Sequence, residues 1–304
     1  MKISSRYEFL KLGNKPPLQT QTSMKDKVVL ITGATSGIGL AASHRFAKGG
    51  ARLIFIVRNK EKAITLCNEI KHIYGTPCSF YLADFSDLNA VKKAVLQVIA
   101  KEKQLDVLIN NAGIYLTKRT LSPHGYELAL TVNHLASLLI TEQLIPLLNQ
   151  SKGRVIQVNS EGHRFSGFPV KDPHFKKRFY TGLRSYGASK TAQLHTVWEL
   201  ADKLKEMDIT INAMHPGAVE SKIGLNNGWL YRMFKTWIIN RLLKKVDDSA
   251  EALYYLAAEP SIQKTTGKYF YLTHETLPAK HAHASLYSKK VLQLSFELIG
   301  ECLK

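Results

Sequence analysis

The stretch from Lys27 to Lys48 constrains this chain more than any other. Lys27 to Thr32 (KVVLIT) is a short β-rich run that ends in Gly33-Ala34-Thr35-Ser36-Gly37-Ile38-Gly39, and a helical pattern follows from Leu40 to Lys48. Glycine lacks a Cβ, so such a turn lets backbone approach a pyrophosphate, and the N-terminus of the helix favours negative charge. A tight turn without a ligand would also use glycine. The strand before and the helix after are what point to a phosphate site, with Gly33, Ser36, Gly37, Ile38 and Gly39 as candidate contacts.

The same alternation continues down the chain. Apolar strand patterns occupy Ala51 to Val57, Cys78 to Ala83, Leu105 to Asn110, Arg154 to Val158 and Ile209 to Met214. Between them lie helical patterns at Asn59 to Ile73, Leu88 to Lys103, Gly125 to Leu148 and Arg184 to Met207, and beyond them a helix at Asp248 to Ala258, an edge strand at Lys268 to Leu272 and a last helix near Ser285 to Ile299. Continuous apolar strands joined by amphipathic helices predict an α/β fold, a doubly wound parallel sheet of Rossmann type with helices on both faces. We expect residues 1–24 to form a basic N-terminal arm and residues 25–304 a single catalytic domain. Ligands of such a sheet sit outside the carboxyl ends of its strands.

At the end of the second strand an acid would suit the ribose of NAD, and a guanidinium would suit the 2′-phosphate of NADP. The strand ends Val57-Arg58-Asn59-Lys60, so Arg58 points to NADP over NAD, with Lys60 able to share the contact.

Composition excludes several classes. A chain of 304 residues that is 45% hydrophobic and 22% charged can bury a full core. The run from His134 to Leu148 is interrupted by Glu142 and Gln143, so no membrane-spanning helix is expected. Met1 to Ser23 carries Lys2, Arg6, Lys11 and Lys15 without an apolar core, unlike a secretory signal. Three cysteines, Cys67, Cys78 and Cys302, argue against a disulfide framework and for a reducing, cytoplasmic setting. The net charge of +18 would attract any anion, but no nucleic-acid module is visible. No metal-ligand spacing appears, and His274, His281 and His283 read as surface histidines.

Ser185-Tyr186-Gly187-Ala188-Ser189-Lys190 puts a phenol and an ammonium four positions apart, on one face of a helix. A cation beside a phenol favours the phenolate and brings it towards proton exchange near neutral pH. Tyr7/Lys11 and Tyr231/Lys235 share the spacing, which by itself is therefore close to chance.

The surrounding motifs distinguish the first pair. With the glycine turn, Ala83-Asp84-Phe85, Asn110-Asn111-Ala112-Gly113, Asn133, Ser160 and Pro216-Gly217, the chain from about Lys25 to Thr273 resembles the short-chain dehydrogenase/reductase family. The long gap from Ser160 to Tyr186, with Asn133-His134 and His215-Pro216-Gly217, is similar to its retinol-dehydrogenase-like branch. The resemblance implies that Asp84 contacts adenine and that Asn111, Ala112 and Gly113 line the cofactor cleft. It also implies that Asn133 holds a water against Lys190, and that Pro216, Gly217, Val219 and Ser221 lie over the nicotinamide. Ser160 would then bind the substrate oxygen, Tyr186 would exchange its proton, and Lys190 would tune Tyr186 and bind the nicotinamide ribose. Two departures stand out: the N-terminal membrane anchor of many members of that branch is not seen, and Asn159-Ser160-Glu161 replaces the usual serine pair.

Substrate character is read from aromatics. Phe165, Phe168, Phe175, Phe179 and Tyr180 before Tyr186, and Trp229, Leu230, Met233, Phe234, Trp237 and Ile238 after the Pro216-Gly217 loop, suit an apolar pocket for a retinoid-, steroid- or fatty-aldehyde-like molecule. Residues 222–246 read as a substrate lid. The basic apolar stretch 229–245 also leaves a peripheral membrane contact open, and the sequence does not decide on a homodimer. The expectation is thus an NADP-dependent enzyme interconverting a lipophilic alcohol and carbonyl. The alternative is a catalytically idle NADPH-binding protein that uses its basic surface to contact a membrane or a partner.

Overall fold

Successive residues of β1 (Val28–Thr32) face opposite sides and both sides are buried, as a strand covered on two faces requires. The structure, a computed structural model, describes residues 15–217 and 246–303. Val219, Ser221 and residues 222–245 of the expected lid lie outside the described residues, as do residues 1–14 of the arm.

Among the described residues, eight strands form one sheet in the order β3-β2-β1-β4-β5-β6-β7-β8. They are β1, β2 (Arg52–Val57), β3 (Cys78–Leu82), β4 (Val107–Asn110), β5 (Arg154–Val158), β6 (Thr210–His215), β7 (Tyr269–Tyr271) and β8 (His274–Thr276). Neighbours from β3 to β7 are parallel. The strand at Tyr269 to Tyr271 does not close the sheet as expected: the chain turns back after Leu272, which takes a positive φ of 54°, and β8 pairs antiparallel outside it.

Two helical layers cover the sheet. Val28 and Leu30 of β1 join a core with α3 (Leu88–Lys101), α4 (Leu128–Ser151), α5 (Gly182–Lys205) and α7 (Leu286–Leu303). Val29 and Ile31 face α1 (Gly37–Lys48), α2 (Lys60–Tyr74) and α6 (Val246–Ala258). The doubly wound parallel sheet is what the strand and helix patterns require. Helix α4 is long and apolar enough to cross a bilayer, yet 78% of its apolar window is buried inside the protein, where it belongs to the core. Its Thr131–Leu135 turn is π-helical.

The described part of the N-terminal arm is tied down. Leu18 N donates to Thr273 Oγ1 at 2.8 Å, Tyr254 OH to the Thr22 carbonyl at 2.6 Å, and Met24 N to the Gly49 carbonyl at 2.8 Å.

The order of strands reverses between β1 and β4, and at their carboxyl ends a cleft of about 590 Å³ opens. Thr32 joins its two walls: Thr32 Oγ1 accepts from the backbone N–H groups of Asn111 and Ala112, each at 2.9 Å, and Asn111 Nδ2 donates to the Thr32 carbonyl at 2.9 Å.

Candidate active site

The glycine turn starts where β1 ends. Gly33 has a φ of +67°, a left-handed conformation that favours glycine, and a Cβ there would stand 3.0 Å from the Ala112 Cα. A Cβ on Gly39 would lie 2.4 Å from the Gly33 carbonyl oxygen, so α1 can start against the turn only with glycine at that position. The helix begins at Gly37, three residues before the sequence pattern suggested, because Gly37 to Gly39 serve as its first turn after Ser36 in extended conformation. The Ser36 side chain makes no capping bond, which leaves the helix N-terminus open towards the cleft lined by Gly33, Ser36, Gly37 and Ile38. An anion fits that end of the helix.

Arg58 and Asp84 line the cleft from β2 and the end of β3. Their closest approach, Arg58 Nη1 to Asp84 Oδ2, is 3.9 Å, beyond hydrogen-bond length, and both side chains are exposed. Asp84 Oδ1 accepts from Ser86 N at 2.9 Å. Lys62, rather than Lys60, is the second cation on this wall. Asn59 caps α2 by accepting from Lys62 N at 2.8 Å, and that fixes the phase of the helix. Sequence spacing alone pointed to the nearer lysine; an asparagine three residues before a lysine at a helix start was the signal for the other. Asn111, Ala112 and Gly113 form the opposite wall, continued by Ile114, Tyr115 and Leu116.

Beyond Gly113 the polar residues converge. Ser160, just past β5, has an extended backbone, and its Oγ accepts from Gly162 N at 3.0 Å, which leaves the hydroxyl proton available to a ligand. Tyr186 and Lys190 stand one turn apart on α5, with Lys190 Nζ 5.8 Å from the centre of the Tyr186 ring. The edge of Tyr115 meets that ring, their centroids 5.6 Å apart, and so links the cleft wall to the phenol. Lys190 is buried and donates to the Val158 carbonyl at 2.9 Å; burial pulls its ammonium down to about 7.

Asn133, in the π-helical turn of α4, binds the backbone of Ile114 through both amide atoms, at 2.7 and 3.0 Å, and donates to Ser189 Oγ at 2.9 Å. A Cβ on Gly113 would lie 3.3 Å from Asn133 Oδ1 and 3.9 Å from Lys190 Nζ, so the two flank that glycine. The backbone carbonyl of Asn133 accepts from Gln193 Nε2. Pro216 and Gly217 follow β6, and the Pro216 carbonyl accepts from Ser249 Oγ at 2.6 Å.

The insert aromatics do not gather as an apolar pocket. Phe168 and Phe175 are core residues, Phe165 and Phe179 are exposed, and Tyr180 donates to Glu127 Oε1 at 3.2 Å. An unexpected polar cluster stands behind Ser160 instead. Glu161 is held by Arg164 and accepts from Tyr269 OH at 2.9 Å, while His163 Nδ1 meets the Ser160 carbonyl at 2.7 Å and His163 Nε2 accepts from Ala279 N at 2.9 Å. That backbone donor at Nε2 fixes the proton of neutral His163 on Nδ1. His281 Nε2 meets the His163 carbonyl at 2.8 Å, and among the described residues no group of histidines, cysteines and acids is arranged to hold a metal.

A helix N-terminus open to a cleft after a glycine turn, with a Ser-Tyr-Lys cluster between the end of β5 and α5, defines a class. Residues 27–227 match the short chain dehydrogenase family model, and the chain belongs to the short-chain dehydrogenase family. Within that family it falls in the retinol-dehydrogenase-like branch. It is 30% identical to human retinol dehydrogenase 12 over 286 residues, 93% of this chain and 89% of the relative, and 28% identical to human retinol dehydrogenase 11 over 276 residues, 90% and 86% of the two. In structure it is similar to an uncharacterized protein of Mycobacterium paratuberculosis (TM-score 0.72, 23% identity, covering 95% of this chain and 97% of that one). It also resembles the Pseudomonas aeruginosa RhlG/NADP active-site complex (TM-score 0.65, 23% identity, 82% and 95% covered). The family is one of oxidoreductases that use a nicotinamide cofactor and a small-molecule substrate.

Proposed function

We propose that the protein is an NADP-dependent oxidoreductase that interconverts an alcohol and a carbonyl on a lipophilic substrate. The observation that carries this reading is the meeting of Ser160, Tyr186 and Lys190 beside the cleft that begins at the Gly33 turn: Gly162 packs against both the Tyr186 ring and Ser160 Oγ, cleft-lining Tyr115 meets that ring, and Lys190 Nζ flanks Gly113 of the cleft wall. A nicotinamide held there would supply the hydride for the carbonyl carbon in reduction, or accept it from the carbinol carbon in oxidation.

The residues divide the remaining work. Gly33, Ser36, Gly37, Ile38 and Gly39 hold the pyrophosphate against the α1 N-terminus, and Asp84, Asn111, Ala112 and Gly113 line the rest of the cofactor's path. Arg58, joined by Lys62, takes the 2′-phosphate. Ser160 donates its hydroxyl proton to the substrate oxygen. Tyr186 gives a proton to that oxygen during reduction and takes it back during oxidation. Lys190 sits where a positive charge favours the phenolate, and its ammonium, already brought to about 7, can pass the proton on near neutral pH. Asn133 keeps the Gly113-Ile114 turn in place beside Lys190. Ile114, Tyr115, Leu116, Leu128 and Val132 give the cleft an apolar side, which, with the retinol dehydrogenase relatives, supports a lipophilic substrate.

The test is a panel of aldehydes, ketones and alcohols, short- and long-chain, assayed with NADPH or NADP and with NADH or NAD. We expect turnover that favours long apolar substrates and the phosphorylated cofactor. In Tyr186→Phe it should vanish while NADPH still binds by fluorescence titration. Activity within about tenfold of wild type, a barrier change of only ~1.4 kcal/mol, would remove Tyr186 from this role.

A further inference from the structure

Asn159 stands where the family places the first of two serines, and its longer side chain reaches across from β5 to α5. Its Oδ1 accepts from Ser160 N at 2.8 Å, and its Nδ2 donates to the Lys190 carbonyl at 2.9 Å and to Gln193 Oε1 at 3.1 Å. Gln193 in turn donates from Nε2 to the Asn133 carbonyl. Both amides are buried, at 2% and 1% exposure. The chain of bonds therefore runs from the backbone of Ser160 through Asn159 to Lys190, and through Gln193 to Asn133. A serine hydroxyl has one proton to donate; it could not hold Lys190 and Gln193 together while accepting from Ser160.

We infer that Asn159 and Gln193 are positioning residues, a buried amide brace that sets Ser160 against Tyr186 and Lys190. The inference rests on the catalytic roles proposed above for those three residues. The brace joins three segments distant in sequence: the end of β5, the middle of α5 and the π-helical turn of α4. Each junction lies within a residue of a group assigned to the chemistry, or on that group's own backbone. Loss of one amide leaves its partners unpaired in a dry interior, so the strain falls on the Ser160 backbone and on the register of α5 at Lys190. Neither Asn159 nor Gln193 lines the part of the cleft from Gly33 to Asp84, so affinity for the adenosine-phosphate half of the cofactor is a separate readout.

The test compares the full-length wild type with Asn159→Ala, Gln193→Met and the double variant. We expect kcat to fall by roughly ten- to a hundredfold in each single variant, the size of effect that about 1 Å of misplacement produces. Affinity for 2′,5′-ADP, which lacks the nicotinamide ribose that Lys190 would hold, should stay within about twofold of wild type, and the double variant should lose no more than the worse single, as residues of one network do. Backbone amide exchange in the Ser160 to Gly162 segment, read by mass spectrometry, should speed up in both singles. A purely structural pair would lower the melting temperature with kcat near wild type in the folded fraction, and that result overturns the brace, as does a double variant whose losses multiply. Should Gln193→Met fail to fold, Gln193→Glu keeps the size and the acceptor for Asn159 and removes the donor to Asn133; wild-type kcat there is equally fatal. If the wild type turns over no carbonyl or alcohol, the catalytic reading fails, and exchange alone then decides: unchanged protection of Ser160 to Gly162 in the variants sinks the brace.

Discussion

Gly162 packs directly against the ring of Tyr186: a Cβ built on Gly162 would stand 2.7 Å from Cε1 of the tyrosine and 3.3 Å from Ser160 Oγ. The turn after β5 thus uses the absence of a side chain to bring a hydroxyl and a phenol to one place. A carbon at 2.7 Å forces either the ring or the turn to move. Gly162→Ala should therefore lower kcat by at least about tenfold, the cost of misplacing a reacting group by a fraction of an ångström, while NADPH binding holds. A wild-type kcat in this variant would show that the ring has room and that its position is not critical.

Arg58 and Lys62 should set the choice of cofactor. A charge-assisted contact to a phosphate is worth about 1.5 to 3 kcal/mol, so Arg58→Ala should cut the NADPH to NADH ratio of kcat/KM by at least about tenfold. Lys62→Ala should cut it less, and Lys60→Ala should leave it alone, because only Lys62 lines the cleft. Steady-state kinetics of the three variants with both cofactors checks the order. A wild type that prefers NAD would end the phosphate reading without touching the fold.

Lys190 makes a pH-dependent contribution to stability whose direction follows from burial. Its ammonium sits near 7 in the fold against an ordinary 10.5, so between those values the unfolded chain holds a proton that the native chain has lost. Stability must then rise with pH through that window and carry a constant penalty below it. Lys190→Met should melt higher than wild type at pH 7, with a flatter rise of Tm towards pH 10 and no turnover. Parallel Tm profiles for the two proteins would contradict the burial argument.

Four histidines should make the fold sensitive to acid. Burial pulls His134 down to about 3 and His163, His195 and His215 to about 4, from an ordinary 6.5. As pH falls below 6.5 the unfolded chain takes up protons that the native chain refuses, so stability drains away between pH 6.5 and 4. Thermal melts across that range should show a steep fall in Tm, and His163→Asn should lessen its slope. A flat profile would mean that these imidazoles charge in place.

Much of this architecture was legible in the sequence because the determining interactions are local. The period of apolar residues in Lys27 to Lys48 fixes strand, turn and helix within one segment, and the spacing of Tyr186 and Lys190 puts both on one face of α5 whatever surrounds them. The positions of Arg58 after β2 and of the glycines after β1 were readable for the same reason. Segment ends were less so: α1 begins at Gly37 and not Leu40, since a cap depends on backbone geometry that composition does not reveal.

Local patterns along the chain are enough to specify the doubly wound sheet, the glycine turn and the positions of Asn133, Ser160, Tyr186 and Lys190. Which neighbours complete them depends on packing between distant segments. Phe168 and Phe175 enter the core while Phe165 and Phe179 face solvent, although nothing in their spacing separates the pairs. Lys62 lines the cleft and Lys60 does not, although both begin the same helix. Asn133, Asn159 and Gln193 meet only when α4, β5 and α5 pack together, and Lys190 drops to about 7 only when that packing excludes water. Periodicity acts between residues a few positions apart along the chain, whereas burial and amide pairing depend on segments that folding alone brings within hydrogen-bond reach.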